Sequence, residues 1–187
     1  TLAETASVFG EMLTFRRLLD QTTDRVQRKA MLAAKVEDMI NTVVRQIAFY
    51  TFERKVHTER RNGELTTDKI NEIWMSVQHE SLGPAIALKP GYETFWSYIP
   101  HFIHSPFYVY AYAFGDCLVN SLYAVYEKAN AGFAERYLAM LAAGGTKHHS
   151  ELLKPFGLDA RDPSFWQGGI GVIERMIGEL EALDEAK

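Results

Sequence analysis

Long uncharged apolar runs are missing from this 187-residue sequence, and so are paired cysteines and a surplus of basic residues. No stretch approaches the roughly 18–20 apolar residues that a bilayer-crossing helix needs, so the pattern predicts no contact with membranes. One cysteine, Cys117, excludes an internal disulfide framework and fits a reducing compartment. A net charge of −4 and a pI near 5.9 remove the general attraction on which nucleic-acid binding rests. No charged segment followed by an apolar one opens the sequence, so no secretory signal is visible. These absences point to a cytoplasmic protein. Thr1 stands where a start methionine would be and the pattern begins as if in mid-helix, so a fragment or a processed product is expected.

What is present suffices for a core. The composition is 47% hydrophobic and 12% aromatic, which is ordinary for a globular chain of this length. The apolar spacing is helical almost throughout. Val8, Phe9, Met12, Leu13, Phe15, Leu18 and Leu19 fit a first helix. A second begins near Thr22–Thr23, with Asp24 in its first turn, and runs to about Asn62–Gly63. Its stripe is Val36, Met39, Ile40, Val43, Val44, Ile47 and Thr51; an unbroken rod of this length would span about 60 Å. Residues 53–64 are polar and of mixed charge and read as a solvated helix end. Thr66 or Thr67 caps a helix to His79, and Pro84, Pro90 and Gly91 place a loop over 83–92. A short aromatic helix is predicted over 93–99. Pro106 is predicted to open a long apolar helix to Ala129. Helices over 132–143 and 147–154 follow, separated by Gly144-Gly145, and Asp162-Pro163 opens the last one, to Leu183. The expectation is an all-α fold: a single helical domain over 1–187 with one very long helix.

Polar groups within apolar helices are the candidates for chemistry. Glu4 and Glu11 stand seven residues apart in Ala3-Glu4-Thr5-Ala6-Ser7-Val8-Phe9-Gly10-Glu11, close to two turns, and share one helix face. Small residues beside Glu4 would let another helix approach. An ionised carboxylate there is a possible metal ligand; the spacing alone equally describes a solvated face. His101 and His104 precede Tyr108, Tyr110 and Tyr112 in an aromatic stretch ending at Asp116. Tyr108 and Tyr112 are i, i+4 and would share a face, with Tyr110 pointing elsewhere. Imidazoles and phenols donate hydrogen bonds and suit stabilisation of an oxyanion. The plainer alternative is packing, with the hydroxyls at the surface.

Other positions carry less. His79-Glu80 is followed by Ser81, Leu82 and Gly83, so it lacks the second His of an HExxH motif. His148 and His149 are adjacent and point to different faces. Cys117 reads as core. Gly168-Gly169-Ile170-Gly171 is no phosphate loop, because neither a preceding strand nor a Lys-Ser/Thr accompanies it.

Three segments in order resemble the oligoendopeptidase F type of M3 zinc metallopeptidase. The run from Ala3 to Glu11 resembles the segment that follows that family's HExxH helix, where the first Glu is the third zinc ligand. The resemblance implies that role for Glu4 and a supporting one for Glu11. The segment from His101 to Asp116 resembles the family's substrate segment. His101 matches by its place after Ile99-Pro100, and Tyr112 by its place before Phe114-Gly115-Asp116. The implied roles are catalytic for His101 and Tyr112, with Tyr110 as the neighbour that shares them, and substrate-binding for His104 and Tyr108. Pro155-Phe156-Gly157-Leu158 and Asp162-Pro163-Ser164-Phe165-Trp166 resemble the entry to the family's last helix.

The sequence departs from the family pattern in one decisive respect: HExxH is absent. One carboxylate cannot supply the three protein ligands of a catalytic zinc. The implied function, zinc-dependent endopeptidase action on short peptides, therefore belongs to a parent enzyme whose N-terminal part is the missing partner. In that parent, the resemblance implies a zinc ion that polarises the scissile carbonyl and activates water. The chain alone is expected to hold no zinc and to be inactive. The contrasting expectation is a non-catalytic helical binding or structural module.

Overall fold

The computed structural model describes residues 5–129 and 131–185, and among them it is helical without a strand, an all-α fold. In chain order the helices are α1 (Thr5–Gln21), α2 (Arg25–Ile40), a π turn (Asn41–Arg45), α3 (Gln46–Arg60), α4 (Thr67–Leu82), a 3-10 segment (Tyr92–Tyr98), α5 (His101–His104), α6 (Tyr110–Lys128), α7 (Phe133–Ala143), α8 (His149–Leu153) and α9 (Pro163–Glu185). Capping side chains set several of the starts. Asp24 accepts the Gln27 N–H at 2.8 Å, Thr66 accepts the Lys69 N–H at 3.2 Å, and Asp162 accepts the Ser164 N–H at 2.8 Å ahead of Pro163. Each satisfies a donor that a helix leaves unpaired at its first turn.

The expected long helix is present. α2, the π turn and α3 contribute 16, 5 and 15 residues with no break between them, about ten turns in all. Its buried face differs from the predicted stripe. Leu32, Val36, Met39 and Val43 are buried, and then Ala48, Phe49, Phe52 and Glu53. A regular helix would bury Ile47 after Val43, yet Ile47 is 50% exposed, and Ile40 and Val44 are each 37% exposed. The π turn closes its hydrogen bonds one residue later than an α turn does. That extra residue moves the buried stripe by one position from Ala48 onward and carries Glu53 inside, where a solvated helix end was expected.

The chain forms two compact units, one containing the residues up to Ile40 and from Phe114 onward, the other residues 41–113. Both boundaries fall inside helices, at the start of the π turn and within α6, so no Pro- or Gly-rich linker marks them.

In the first unit, Phe9 of α1 meets the rings of Tyr126, Phe133 and Tyr137, with centroids 4.6–5.9 Å apart. The Tyr137 hydroxyl donates to the Thr5 carbonyl at 3.0 Å and ties α7 to the start of α1. The glycine run of α9 has a packing purpose. A Cβ on Gly169 would lie 2.7 Å from the Cys117 carbonyl oxygen and 3.2 Å from its Cα. Those atoms are backbone of α6 and cannot swing aside, so Gly169→Ala must push α9 away. We expect a cost of about 1–3 kcal/mol and a melting temperature lower by roughly 2–12 °C, read by thermal unfolding. An unchanged melting temperature would show that α9 has slack at this contact.

In the second unit the core is aromatic. Trp74 is almost wholly buried between Phe49 and Phe52, with centroids at 5.6 and 5.1 Å, and its Nε1–H donates to the Tyr92 carbonyl. Trp96 donates to Asn71 Oδ1 at 2.7 Å. These two bonds fix the 3-10 segment to α4 and so set where the next residues, Ile99 and Pro100, leave the core.

Candidate functional site

The His- and Tyr-rich segment does not form the single helix predicted from Pro106. α5 ends at His104, Pro106 lies in a turn, and α6 starts only at Tyr110. The physical reason is Phe107, whose φ of 58° is left-handed and cannot belong to a right-handed helix. Its N–H donates to Oε1 of Glu53 at 2.6 Å, and its ring packs on His57 with centroids 4.7 Å apart. Val109 is then buried in the aromatic core, and α6 can begin. Glu53 is 2% exposed, and its Oε2 has no hydrogen-bond partner among the described residues.

This path brings three of the predicted residues together. His101 Nε2 and the Tyr112 hydroxyl are 3.1 Å apart. Tyr108 stacks parallel to His101 at 6.4 Å and meets Tyr112 edge-on at 5.5 Å. Tyr108 precedes α6, so it reaches Tyr112 through the turn and not along a shared helical face. Tyr110 turns away and packs against Tyr50, with centroids 6.0 Å apart. His104 is exposed in the last turn of α5 and, among the described residues, its side chain makes no hydrogen bond or ring contact. Tyr112 is 38% exposed, so its hydroxyl is reachable by a ligand. The tautomer of His101 decides the direction of its bond with Tyr112. When Nε2–H donates to the phenolic oxygen, the phenol O–H is left to donate outward.

Glu4 lies outside the described residues. Glu11, the expected supporting residue, ion-pairs with Lys35, which also lies 3.4 Å from Asp38. The rings of His148 and His149 meet at a tilt of 41°, centroids 4.0 Å apart, and line, with Thr5 and Ala6, a cavity of about 720 Å³ in the first unit. Among the described residues no group of three His, Cys, Asp or Glu side chains is placed to hold a metal. They do not by themselves fit a zinc ion, and the chemistry they supply is hydrogen bonding.

Asp116 and Cys117 are buried in α6. Burial pushes the Cys117 thiol up to about 12, which leaves it inert as a nucleophile. Burial also pushes the Asp116 carboxyl up to about 6, with Lys35 opposing. Asn120 Nδ2 donates to Asp116 Oδ2 at 2.8 Å, while the buried Asn120 Oδ1 has no partner among the described residues. The folded state therefore holds the Asp116 proton more tightly than the unfolded chain, whose Asp titrates near 3.9. Stability from this group is complete below about pH 4 and is lost as pH rises through 6. The loss is on the order of 1–3 kcal/mol. Asp116→Asn should flatten that part of the stability–pH curve and stabilise the protein at pH 7, as chemical denaturation at pH 4, 5, 6 and 7 would read. An identical slope in the variant would rule the carboxyl out as its source.

His101 and Tyr112 thus present a hydrogen-bonded pair to solvent. The comparisons with known proteins give the family. The sequence model of peptidase family M3 matches residues 1–172, and the chain belongs to that family. It is 30% identical over 183 residues to the oligopeptidase PepF of Bacillus subtilis (strain 168), covering 97% of this chain and 27% of that protein. It is 29% identical over 185 residues to the plasmid oligoendopeptidase F of Lactococcus lactis subsp. cremoris, covering 98% of this chain and 31% of that one. The crystal structure of oligoendopeptidase-F from Enterococcus faecium superposes with a TM-score of 0.90 at 29% identity, over 100% of this chain and 36% of that chain. The chain thus spans about a third of the length of its relatives.

Sequence reasoning missed Glu53, Arg45 and the π turn. Glu53 was hidden by its polar neighbours, and Arg45 by a helix that reads as regular. Arg45 sits over the Phe49 ring, 5.3 Å from its centroid.

Proposed function

We propose that this chain forms the substrate-holding wall of a zinc-dependent oligoendopeptidase that hydrolyses short peptides. The observation that carries this reading is the 3.1 Å approach of His101 Nε2 to the exposed Tyr112 hydroxyl. His101 donates to the phenolic oxygen and orients it. Tyr112 donates to the scissile carbonyl oxygen, and that bond strengthens as the oxygen gains charge in the tetrahedral state. Tyr108 flanks the pair, holds the peptide with His104, and is a nearer reserve donor than Tyr110, which faces Tyr50. Glu4 contributes the one metal ligand that comes from this chain, and the others belong to the missing N-terminal part of the same protein. The site works in the cytoplasm.

Peptide hydrolysis and metal analysis test this reading. The full-length protein should hydrolyse short peptides and lose activity to a chelator. Glu4→Gln should lower its metal content, because the amide keeps the shape and loses the charge that a divalent ion favours; added zinc should restore part of the activity. The 187-residue chain alone should neither hydrolyse peptides nor retain zinc after dialysis. One zinc held tightly by the chain alone, with chelator-sensitive hydrolysis, would contradict the assignment of the other ligands to the missing part.

A further inference from the structure

The π turn places a cation, Arg45, that has no ion pair among the described residues, in the same cavity as His101. A cavity of about 340 Å³ in the second unit is lined by Asn41, Thr42, Arg45 and Gln46 on one side and by His101 on the other. The four helical residues stand at i, i+1, i+4 and i+5 and so share one face. All four can donate hydrogen bonds, and no acidic residue lines the cavity. Among the described residues the Arg45 side chain makes no ion pair and no hydrogen bond, and its guanidinium is held over the Phe49 ring. Phe49 is itself buried, so this contact anchors one face of the guanidinium on the core and leaves its edge of N–H donors for a ligand. A planar fork of donors matches a carboxylate bidentately. Because His101 lines this cavity and also bonds Tyr112, a carboxylate held by Arg45 lies within a few residues of a carbonyl at Tyr112.

We propose that Arg45 and its cavity bind the C-terminal carboxylate of the peptide substrate. The inference rests on the reading of His101 and Tyr112 as the carbonyl-binding pair, and it deepens that reading. It also supplies a reason for preferring short peptides. The terminus can be read only when it lies close to the scissile bond, so a long chain that places its end elsewhere loses this contact.

Two measurements test it, one of which needs no hydrolysis. The first titrates the 187-residue protein, isotope-labelled at arginine, with an N-acetylated dipeptide that ends either in a free carboxylate or in an amide. The Arg45 Nε–H resonance, assigned by its loss in Arg45→Gln, should move with the acid and stay still with the amide. The second compares hydrolysis of one peptide in both forms by the full-length protein. Amidation should raise KM about 10- to 100-fold with little change in kcat. Arg45→Gln should abolish the preference for the acid, and Arg45→Lys should keep part of it, because the charge remains without the fork. A still Arg45 resonance, or a preference that survives in Arg45→Gln, overturns the proposal. So does an amidated peptide with a penultimate Asp that binds as well as the free acid, since the site would then read a side chain. If the resonance responds but no peptide is cleaved, the carboxylate site stands and the peptidase reading falls.

Discussion

Tyr112→Phe is expected to lower kcat of the full-length protein by about 10²–10³-fold, equivalent to roughly 3–4 kcal/mol of transition-state stabilisation. The substitution removes one oxygen from a side chain that is 38% exposed and whose ring rests edge-on against Tyr108 and His101. The ring contacts survive, so stability should change little. The hydroxyl is what His101 Nε2 approaches at 3.1 Å, and its loss removes the donor aimed at the substrate oxygen. KM should move less than kcat, because the lost bond is strongest when the oxygen carries negative charge. Metal content should not move at all. His101→Ala should follow the same direction less cleanly, because it also removes the ring that stacks on Tyr108. Steady-state kinetics with metal analysis separate this from simple packing, which predicts a Phe variant of unchanged rate. Such a result would take Tyr112 out of the reaction. Tyr108, in contact with the same histidine, would then be a stronger candidate than Tyr110, which faces Tyr50.

The parts legible in the sequence are those governed by local rules. Thr66 and Asp162 cap helices because a short polar side chain before an apolar periodic segment has few other uses, whereas the second helix starts after Asp24, which caps it and does not lie in its first turn as expected. The all-α class follows from period alone. The long helix is legible in extent, since nothing between Asp24 and Asn62 breaks it, but its face is not. One residue added in the π turn is invisible to a count of threes and fours, and it exchanges Ile47 for Ala48 at the core. The same shift explains why Glu53 escaped notice: within its polar run only the rotated face distinguishes it from Arg54 or Lys55. The grouping of His101 with Tyr112 was implied by a resemblance and not by spacing, because eleven residues with an intervening turn have no fixed geometry. That turn depends on a left-handed Phe107, a conformation no sequence rule assigns to an aromatic residue.

That dependence makes Glu53 a residue whose loss should damage this unit through its turn. Glu53→Ala is expected to cost about 2–4 kcal/mol, from two effects acting on the same turn. Removing the carboxylate leaves the Phe107 N–H without its acceptor, which costs roughly 1–3 kcal/mol where water cannot replace it. Removing the side chain's bulk enlarges a cavity of about 130 Å³ that Glu53 already lines with Phe52, His57 and Trp96. A left-handed aromatic residue carries about 1–2 kcal/mol of steric cost and persists only where its surroundings hold it. Without Glu53, Phe107 is free to return to an extended conformation, drawing Val109 from the core and moving Tyr108 from His101 and Tyr112. The melting temperature should fall by roughly 4–16 °C, and kcat/KM of the full-length protein should fall with it even at temperatures where the variant is fully folded. Glu53→Gln separates the acceptor from the charge. Its amide oxygen can accept the Phe107 N–H, and its amide nitrogen takes the place of an oxygen that has no partner among the described residues, without a buried charge. The Gln variant should therefore retain most of the stability and activity that Ala loses. If Gln proves as damaging as Ala, the charge of Glu53 matters beyond its bond to Phe107, and the account of the turn given by that single hydrogen bond is wrong.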